Sequence, residues 1–514
     1  MARIGTQRVK TGCTTCKIRR IKCDEARPSC ARCISTGRRC DGYISPPTTT
    51  YSWAQLLRSC PVNNAPSIRA AQPSRASIAH AERTMDFYRK VTAPAFSGSL
   101  NSYFWTNVVI QMSDQEPVAS HAVLALSSVY ETFSKGAWEA SPFAVWHYNE
   151  AIKLLRTTTD RALILFVCVL FICIELLRRN PKEATTHCRH GINILNEIHN
   201  ESDFLRNHVT PVMRQLSIAP YRYGINPATF PTVRKPISTS TNRLQNVAEA
   251  HARLLTIHVR LVRYLESVDD CHLEAGQEGP EPDAKWTRQF ILVDLDAWYK
   301  AYRELKKEER YTTREEDMVR LLDIRYLVGK IALLSSDKGE AGECVYDEHT
   351  DKFRAVVVLA SQAEGSPGSF PESSSSKSSA GWGTESVLEL GFSSLLFMVV
   401  TRCRQLRLRL EALRLMKKLM QPERNIWERK LTWSIAQRVI EIEHDITLDD
   451  TTDLDALISS DEGSNRFVPK ERRIVEMNFR GPAEATVPPR KKVHFYLKNG
   501  RTGQIEDKEE YLAI

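Results

Sequence analysis

Six cysteines near the N-terminus carry the clearest chemistry in the chain. Cys13, Cys16, Cys23, Cys30, Cys33 and Cys40 follow C-x2-C-x6-C-x6-C-x2-C-x6-C, which is one C-x2-C-x6-C unit used twice. Thiolates at C-x2-C spacing in a tight turn grip one tetrahedral Zn2+. Two such ions need eight ligand positions, and six sulfurs fill them if two sulfurs bridge both metals. A disulfide framework is the other reading of such spacing. It needs an oxidising compartment, which nothing else in the sequence indicates. The other seven of the 13 cysteines are scattered, several in apolar surroundings, and read as ordinary structural residues.

The same end is basic. Residues 1–43 hold eleven Lys/Arg and three acids, a balance of +8 within a chain whose total is +9. So concentrated a positive field suggests a polyanionic partner, either nucleic acid or an anionic surface. Lys17-Ile18-Arg19-Arg20-Ile21-Lys22 lies between two thiols, with room for one short helix. At 100° per residue Ile18 and Ile21 fall about 60° apart and can face the cysteines. Lys17, Arg19 and Arg20 then cover the opposite arc. A one-sided basic helix held by metal suits the major groove of duplex DNA. The second half, Ile34 to Arg39, lacks that face and has Gly37 in its middle. The first half is therefore expected to read bases and the second to hold phosphates.

Gly12–Cys40, GCTTCKIRRIKCDEARPSCARCISTGRRC, resembles the fungal zinc binuclear cluster transcription factors over about 30 residues. The resemblance implies two structural Zn2+ ions bridged by Cys13 and Cys30. One ion would use Cys13, Cys16, Cys23 and Cys30, the other Cys13, Cys30, Cys33 and Cys40. It places a proline two residues before the fourth cysteine, where Pro28 stands. It implies recognition of CGG-like triplets, with Arg19 and Arg20 at the base-reading positions. An arginine can bond O6 and N7 of one guanine, worth about 1–3 kcal/mol of discrimination. Arg8, Lys10, Lys17, Lys22, Arg38 and Arg39 are expected at phosphates, which position without specifying sequence. Double-stranded DNA is thus the expected partner, with transcription co-regulators as further partners, and the nucleus the expected location. By analogy alone, a pathway-specific regulator of a biosynthetic gene cluster is in keeping with this layout.

Elsewhere the sequence offers little chemistry. There is no phosphate-binding glycine motif, no G-x-S-x-G and no H-E-x-x-H, so no enzyme activity is expected. His187, Cys188 and His190 lie close together, but on a helix Cys188 points away, and they read as a surface histidine pair on a packed helix. Arg402–Met420 has arginines between leucines and reads as a helix that packs its leucines and solvates its arginines. Pro489-Arg490-Lys491-Lys492 reads either as a nuclear import signal or as a charged strand edge. In His444–Glu462 acids alternate with Ile446, Leu448, Leu454, Leu457 and Ile458, as in an acidic linking loop or an amphipathic activation segment. A zinc-dependent RNA-binding or co-regulatory protein, and an enzyme with a zinc appendage, are the alternatives to a DNA-binding regulator.

The expected architecture is a small zinc-stabilised binuclear cluster domain, a large mostly all-α domain and a short C-terminal β-hairpin. The boundaries are a cluster domain at 1–43, a Pro/Ser/Thr-rich linker at 44–80, a helical regulatory domain at 81–470 and strands at 471–514. The linker holds five prolines, and a Ser-rich insert at 361–382 is expected to be disordered. Apolar periodicity predicts helices at Pro117–Phe133, Phe143–Leu155, Ala162–Leu177, Pro181–Ile198, Asn242–Ser267, Arg288–Lys307, Arg314–Leu334, Ser386–Met420 and Leu431–Glu443. Ala162–Leu177, apolar all round, belongs at the centre of the bundle. FYRKVTAPAFSG at Phe87–Gly98, Pro117–Phe133 and Val399–Leu419 resemble, loosely, the helical regulatory domain common in that fungal family, which implies a regulatory role. Strands are predicted at Arg473–Arg480, Lys492–Leu497 and Thr502–Ile505, with Asn499-Gly500 as the turn. The longest apolar run, Ala162–Ile174, is too short to span a bilayer, and the opening residues hold no apolar signal, so a soluble intracellular protein without a membrane partner is expected. No heptad run follows the cysteines. The zinc module is therefore expected to be monomeric, and any full-length dimer to form through the helical domain.

Overall fold

In the computed structural model the described residues are 13, 15–16, 19, 21, 23–26, 29–40, 75–97, 103–136, 140–223, 225–235, 243–273, 282–308, 311, 313–337, 339–364, 392–419, 429–449, 452–459, 466–479, 490–498 and 504–513. The chain divides into two compact units, Met1–Tyr51 and Ser52–Ile514.

The large unit is built on the Arg161–Leu177 helix, fourteen of whose residues are buried. Its sequence leaves no polar face, so every side must be covered. The helices Pro117–Ser134, Pro142–Leu155 and Pro181–Glu197 do so. Each starts with a proline in its first turn, where the missing N–H costs nothing. Ser141 caps the second of them by accepting the Ala144 N–H at 3.1 Å, and Asp160 caps the central helix at Ala162. At Gly191 the backbone comes so close that a Cβ would meet the Met213 methyl at 2.7 Å and the Cys168 Sγ at 2.9 Å. A second apolar cluster joins Val247–Leu273, Pro282–Glu308 and Thr313–Leu334. A third joins Thr350–Glu364, Phe392–Arg402, Leu406–Leu419 and Arg429–His444.

The C-terminal strands β1 (Ile474–Asn478), β2 (Arg490–Lys498) and β3 (Ile505–Ala513) form an antiparallel sheet in that order. Val493 and Phe495 of β2 and Ile474 of β1 pack on Leu431, Ile435 and Val439 of the Arg429–His444 helix. The basic run at Arg490–Lys492 thus opens the central strand and is not a sheet edge. Lys492 pairs with Glu509 at 2.8 Å. The three expected strands form one sheet that includes the expected hairpin, and β3 starts where the predicted strand Thr502–Ile505 ends. Its sequence, IEDKEEYLA, has too few apolar residues to read as a strand. The ladder to β2, from Lys498↔Ile505 to Arg490↔Ala513, defines it. Asn499 and Gly500, the linker before residue 75 and the serine-rich residues 365–391 lie outside the described residues.

Helical periodicity located most of the long helices to within about six residues but missed the helical segments at 104–115, 205–216 and 339–349, and three further differences stand out. Arg75–Phe87 is helical, beginning six residues inside the segment read as linker. Thr350–Glu364 is a helix that runs into the start of the Ser-rich segment. The predicted helix Ser386–Met420 is two helices, Phe392–Arg402 and Leu406–Leu419. Between them the chain pairs with 466–468: the Leu406 N–H donates to Arg466 O at 3.0 Å and the Val468 N–H to Arg404 O at 3.1 Å. A remote extended segment supplies the hydrogen bonds that a helical turn would otherwise make. Within this region Arg404 and Arg409 are fully buried, contrary to the reading that its arginines are solvated. The acidic stretch after His444 is partly folded. Leu448 is buried, Leu454–Ser459 is a short helix, and Ile446, Leu454, Leu457 and Ile458 pack against the third cluster.

Candidate metal centre and nucleic-acid interface

The cysteine repeat is also a structural repeat, with an offset of 17 residues. The Cys16 N–H donates to the Cys13 Sγ at 3.4 Å, and the Cys33 N–H to the Cys30 Sγ at 3.3 Å. The Cys13 N–H meets the Cys23 Sγ at 3.4 Å, and the Cys30 N–H the Cys40 Sγ at 3.5 Å. The Ile21 N–H returns to Cys16 O at 3.1 Å, as the Arg38 N–H does to Cys33 O at 3.0 Å. In the second half a further bond from the Gly37 N–H to Ile34 O at 2.9 Å completes a Schellman closure, which needs a left-handed residue, and Gly37 has φ +63°. Amide hydrogen bonds to sulfur stabilise thiolates, so both halves are wired to hold charged sulfur.

Two sets of four thiols converge: Cys13, Cys16, Cys23 and Cys30, and Cys13, Cys30, Cys33 and Cys40. Within each set all sulfurs lie within 4.8 Å of one another. Cys13 and Cys30 belong to both, 3.6 Å apart. A tetrahedron with Zn–S bonds of about 2.3 Å has edges of about 3.8 Å, so the sulfur spacing fits two zincs sharing one edge. Without a cation, burial pushes the Cys13, Cys16 and Cys30 thiols above their ordinary value. The charge of the metal is what makes six thiolates tenable in so small a space.

Residues 11–50 match the fungal Zn(2)-Cys(6) binuclear cluster domain. The six cysteines thus form a two-zinc cluster in which the metal is structural. The chain is similar to an aspercryptin biosynthesis cluster-specific transcription regulator of Emericella nidulans, 26% identical over 57% of this chain and 53% of that one. It is also similar to the transcription regulator lscL of Purpureocillium lilacinum, 31% identical over 35% of this chain and 48% of the relative. A transcriptional regulatory protein of Schizosaccharomyces pombe is 31% identical over 31% of this chain and 30% of its own length. The chain spans about half the length of the first two relatives. No solved structure matches it.

Around the cluster, Asp24 accepts the Ala31 N–H at 2.9 Å and the Arg32 N–H at 3.3 Å, and these bonds hold its carboxyl below the usual range. It anchors the Ala31–Ile34 turn against the first half. Arg38 and Arg39 are exposed. Arg19 is half-buried, and its Nη1 donates to the Thr36 hydroxyl at 3.2 Å. Residues 19 and 36 occupy equivalent positions in the repeat, so this bond crosses between the halves. Arg19 therefore has a structural bond that its spacing alone did not suggest. Ile21 is 40% exposed, contrary to the expectation that it faces the cluster. The Ile21-to-Cys16 bond closes the turn there, so the 3.6-residue period no longer governs its direction. Arg8, Lys10, Lys17, Ile18, Arg20, Lys22 and Pro28 lie outside the described residues.

The histidine pair has a different place from the one expected. His187 is fully buried and its Nε2 bonds the Tyr148 hydroxyl at 2.9 Å, while the Cys188 Sγ turns to Leu216 O. Among the described residues one further potential metal-ligating group occurs, His494, Asp507 and Glu509 across β2 and β3. Only the strand register brings these together, so sequence reading missed it. The His494 Nδ1 lies 2.9 Å from Asp507 Oδ2, as in an ordinary cross-strand hydrogen bond.

Proposed function

We propose that this protein is a sequence-specific DNA-binding transcription regulator of the RNA polymerase II type. Its zinc module at 1–43 reads CGG-like triplets in the major groove. The observation that carries this reading is the pair of edge-sharing thiol tetrahedra set in the basic N-terminal segment of the chain. Arg19 and Arg20 are the base-reading candidates. Arg8, Lys10, Lys17, Lys22, Arg38 and Arg39 hold phosphates. Both zincs have four sulfur ligands and no open position, so the metal serves folding and not catalysis, and the protein acts without enzyme activity. The linker ends before the Arg75–Phe87 helix, residues 75–470 serve as the regulatory domain and 471–514 as its closing strands. The zinc module binds as a monomer, and a full-length dimer would use the helical domain. The protein works in the nucleus. The printed role of the Emericella relative, a cluster-specific regulator, supports a pathway-specific role here.

Selecting bound duplexes from a random DNA pool with the zinc-loaded chain tests the proposal. Enrichment of a CGG-type triplet is the expected result. Equal retention of single-stranded RNA in competition would refute it in favour of an RNA-binding protein.

A further inference from the structure

The break at Cys403–Gln405 sits over a buried charged cluster to which no role has been assigned. Arg404 Nη1 donates to Glu443 Oε1 at 2.7 Å and Oε2 at 2.9 Å, and its Nη2 to Glu343 Oε2 at 2.6 Å. Arg409 Nη2 reaches Glu443 Oε2 at 2.5 Å and Thr401 O at 3.3 Å. The Ile474 N–H donates to Glu443 Oε1 at 2.6 Å. The Glu443 carboxylate is thereby saturated. Around it, Arg402 pairs with Glu343 at 3.0 Å and Arg473 with Asp347 at 2.9 Å. Four guanidinium groups, of Arg402, Arg404, Arg409 and Arg473, thus face three carboxylates, of Glu343, Asp347 and Glu443.

The uncompensated charge coincides with unpartnered atoms. Among the described residues, Arg409 Nε and Nη1, Arg404 Nε and both ring nitrogens of His444 are buried without a hydrogen-bond partner, as is the acceptor Asp347 Oδ1. Arg409 is 0% exposed, and Arg404 and His444 are each 1% exposed. The charges bearing on the His444 ring are those of Arg409, Arg466 and Arg404. Arg466 is exposed, so the group extends toward solvent on that side. Leaving such donors unpaired is expensive, more so when they are charged.

We infer that this cluster is a binding site for a small oxyanion, a carboxylate or a phosphate, held by Arg404, Arg409 and His444. Arginine N–H groups only donate, so the guest must accept. A water molecule brings two protons of its own. Asp347 Oδ1 could accept one of them, but water brings no charge to cancel the excess. An oxyanion brings several acceptors and cancels the excess charge, and its bonds to guanidinium are of the strong, charge-assisted kind. Once bound, it ties the helix break to the Arg429–His444 helix and to the 466–468 segment.

The test uses the full zinc-loaded chain. Thermal unfolding and calorimetric titration are run with inorganic phosphate, sulfate and acetate, each against chloride at matched ionic strength. Phosphate and sulfate against acetate separate a phosphate guest from a carboxylate guest. The expected result is a saturable rise in Tm, with matching binding heat, for at least one oxyanion and not for chloride. His444→Phe keeps ring volume and removes both nitrogens, and Arg409→Gln leaves the Arg404–Glu443 pair in place. Either should weaken apparent affinity at least about tenfold, which also separates this site from the cations of the N-terminal module. The inference is overturned if no oxyanion gives a saturable response up to about 10 mM, where sites of millimolar affinity would be filled. It is equally overturned if the response persists in folded His444→Phe and Arg409→Gln.

Discussion

Replacing Glu443 by glutamine removes one negative charge from the buried cluster at almost constant shape. Its carboxylate is the shared acceptor of Arg404 and Arg409, both fully buried, and of the first backbone N–H of β1. Arg404 would keep Glu343 and Thr401 O, whereas Arg409 would face only uncharged acceptors. Breaking a buried pair by removing one partner destabilises by about 3–5 kcal/mol, because the remaining charge stays out of water. At about 2 °C per kcal/mol for a large unit, Tm should fall by roughly 6–10 °C. The loss should appear with helical content retained at low temperature, followed by circular dichroism during heating and by urea titration. Arg407→Gln, which breaks the exposed Arg407–Glu411 pair of 3.1 Å, serves as the control and should change stability by no more than about 0.5 kcal/mol. If Glu443→Gln behaved like that control, the view that this cluster is desolvated and interdependent would be wrong.

Removing zinc with a strong chelator, or replacing Cys13 or Cys30 by serine, should unfold the 11–50 module and abolish duplex binding, measured by gel shift and by loss of bound metal. Arg20→Ala should reduce discrimination between cognate and scrambled duplex. Lys10→Ala should weaken both alike and lower the salt slope by about one unit. His187 is pushed down to about 3 by burial, while an unfolded histidine titrates near 6.5. Between those values the unfolded chain binds the extra proton. This contribution is therefore complete above pH 6.5 and is lost as pH falls, amounting to about 2 kcal/mol by pH 5. A His187→Gln chain should show a flatter fall in urea midpoint from pH 7 to 5. Gly191→Val should destabilise by about 1–3 kcal/mol through overpacking against Cys168 and Met213, and a mutant Tm equal to wild type would refute the close helix approach.

The sequence by itself determined the metal centre, because the geometry of zinc is written in spacing. Two C-x2-C-x6-C units of six sulfurs must share ligands, and the thiols share Cys13 and Cys30. It also determined the central helix, since Arg161–Leu177 has no polar face to expose. Local propensity and caps set most helix limits, as Pro117, Pro142 and Pro181 illustrate. Tertiary structure alone decided the rest. Nothing in Arg402–Met420 marks the break at Cys403–Gln405, which exists because residues 466–468 pair with it. Nothing marks Arg404 and Arg409 as buried, because their counter-charges, Glu443 and Glu343, lie 39 and 61 residues from Arg404 in the chain. Arg19 reads as a free basic side chain until its bond to Thr36 is seen. Short-range periodicity and ligand spacing are local properties and survive in one dimension. Pairing between segments far apart in the chain appears only when the fold brings them together.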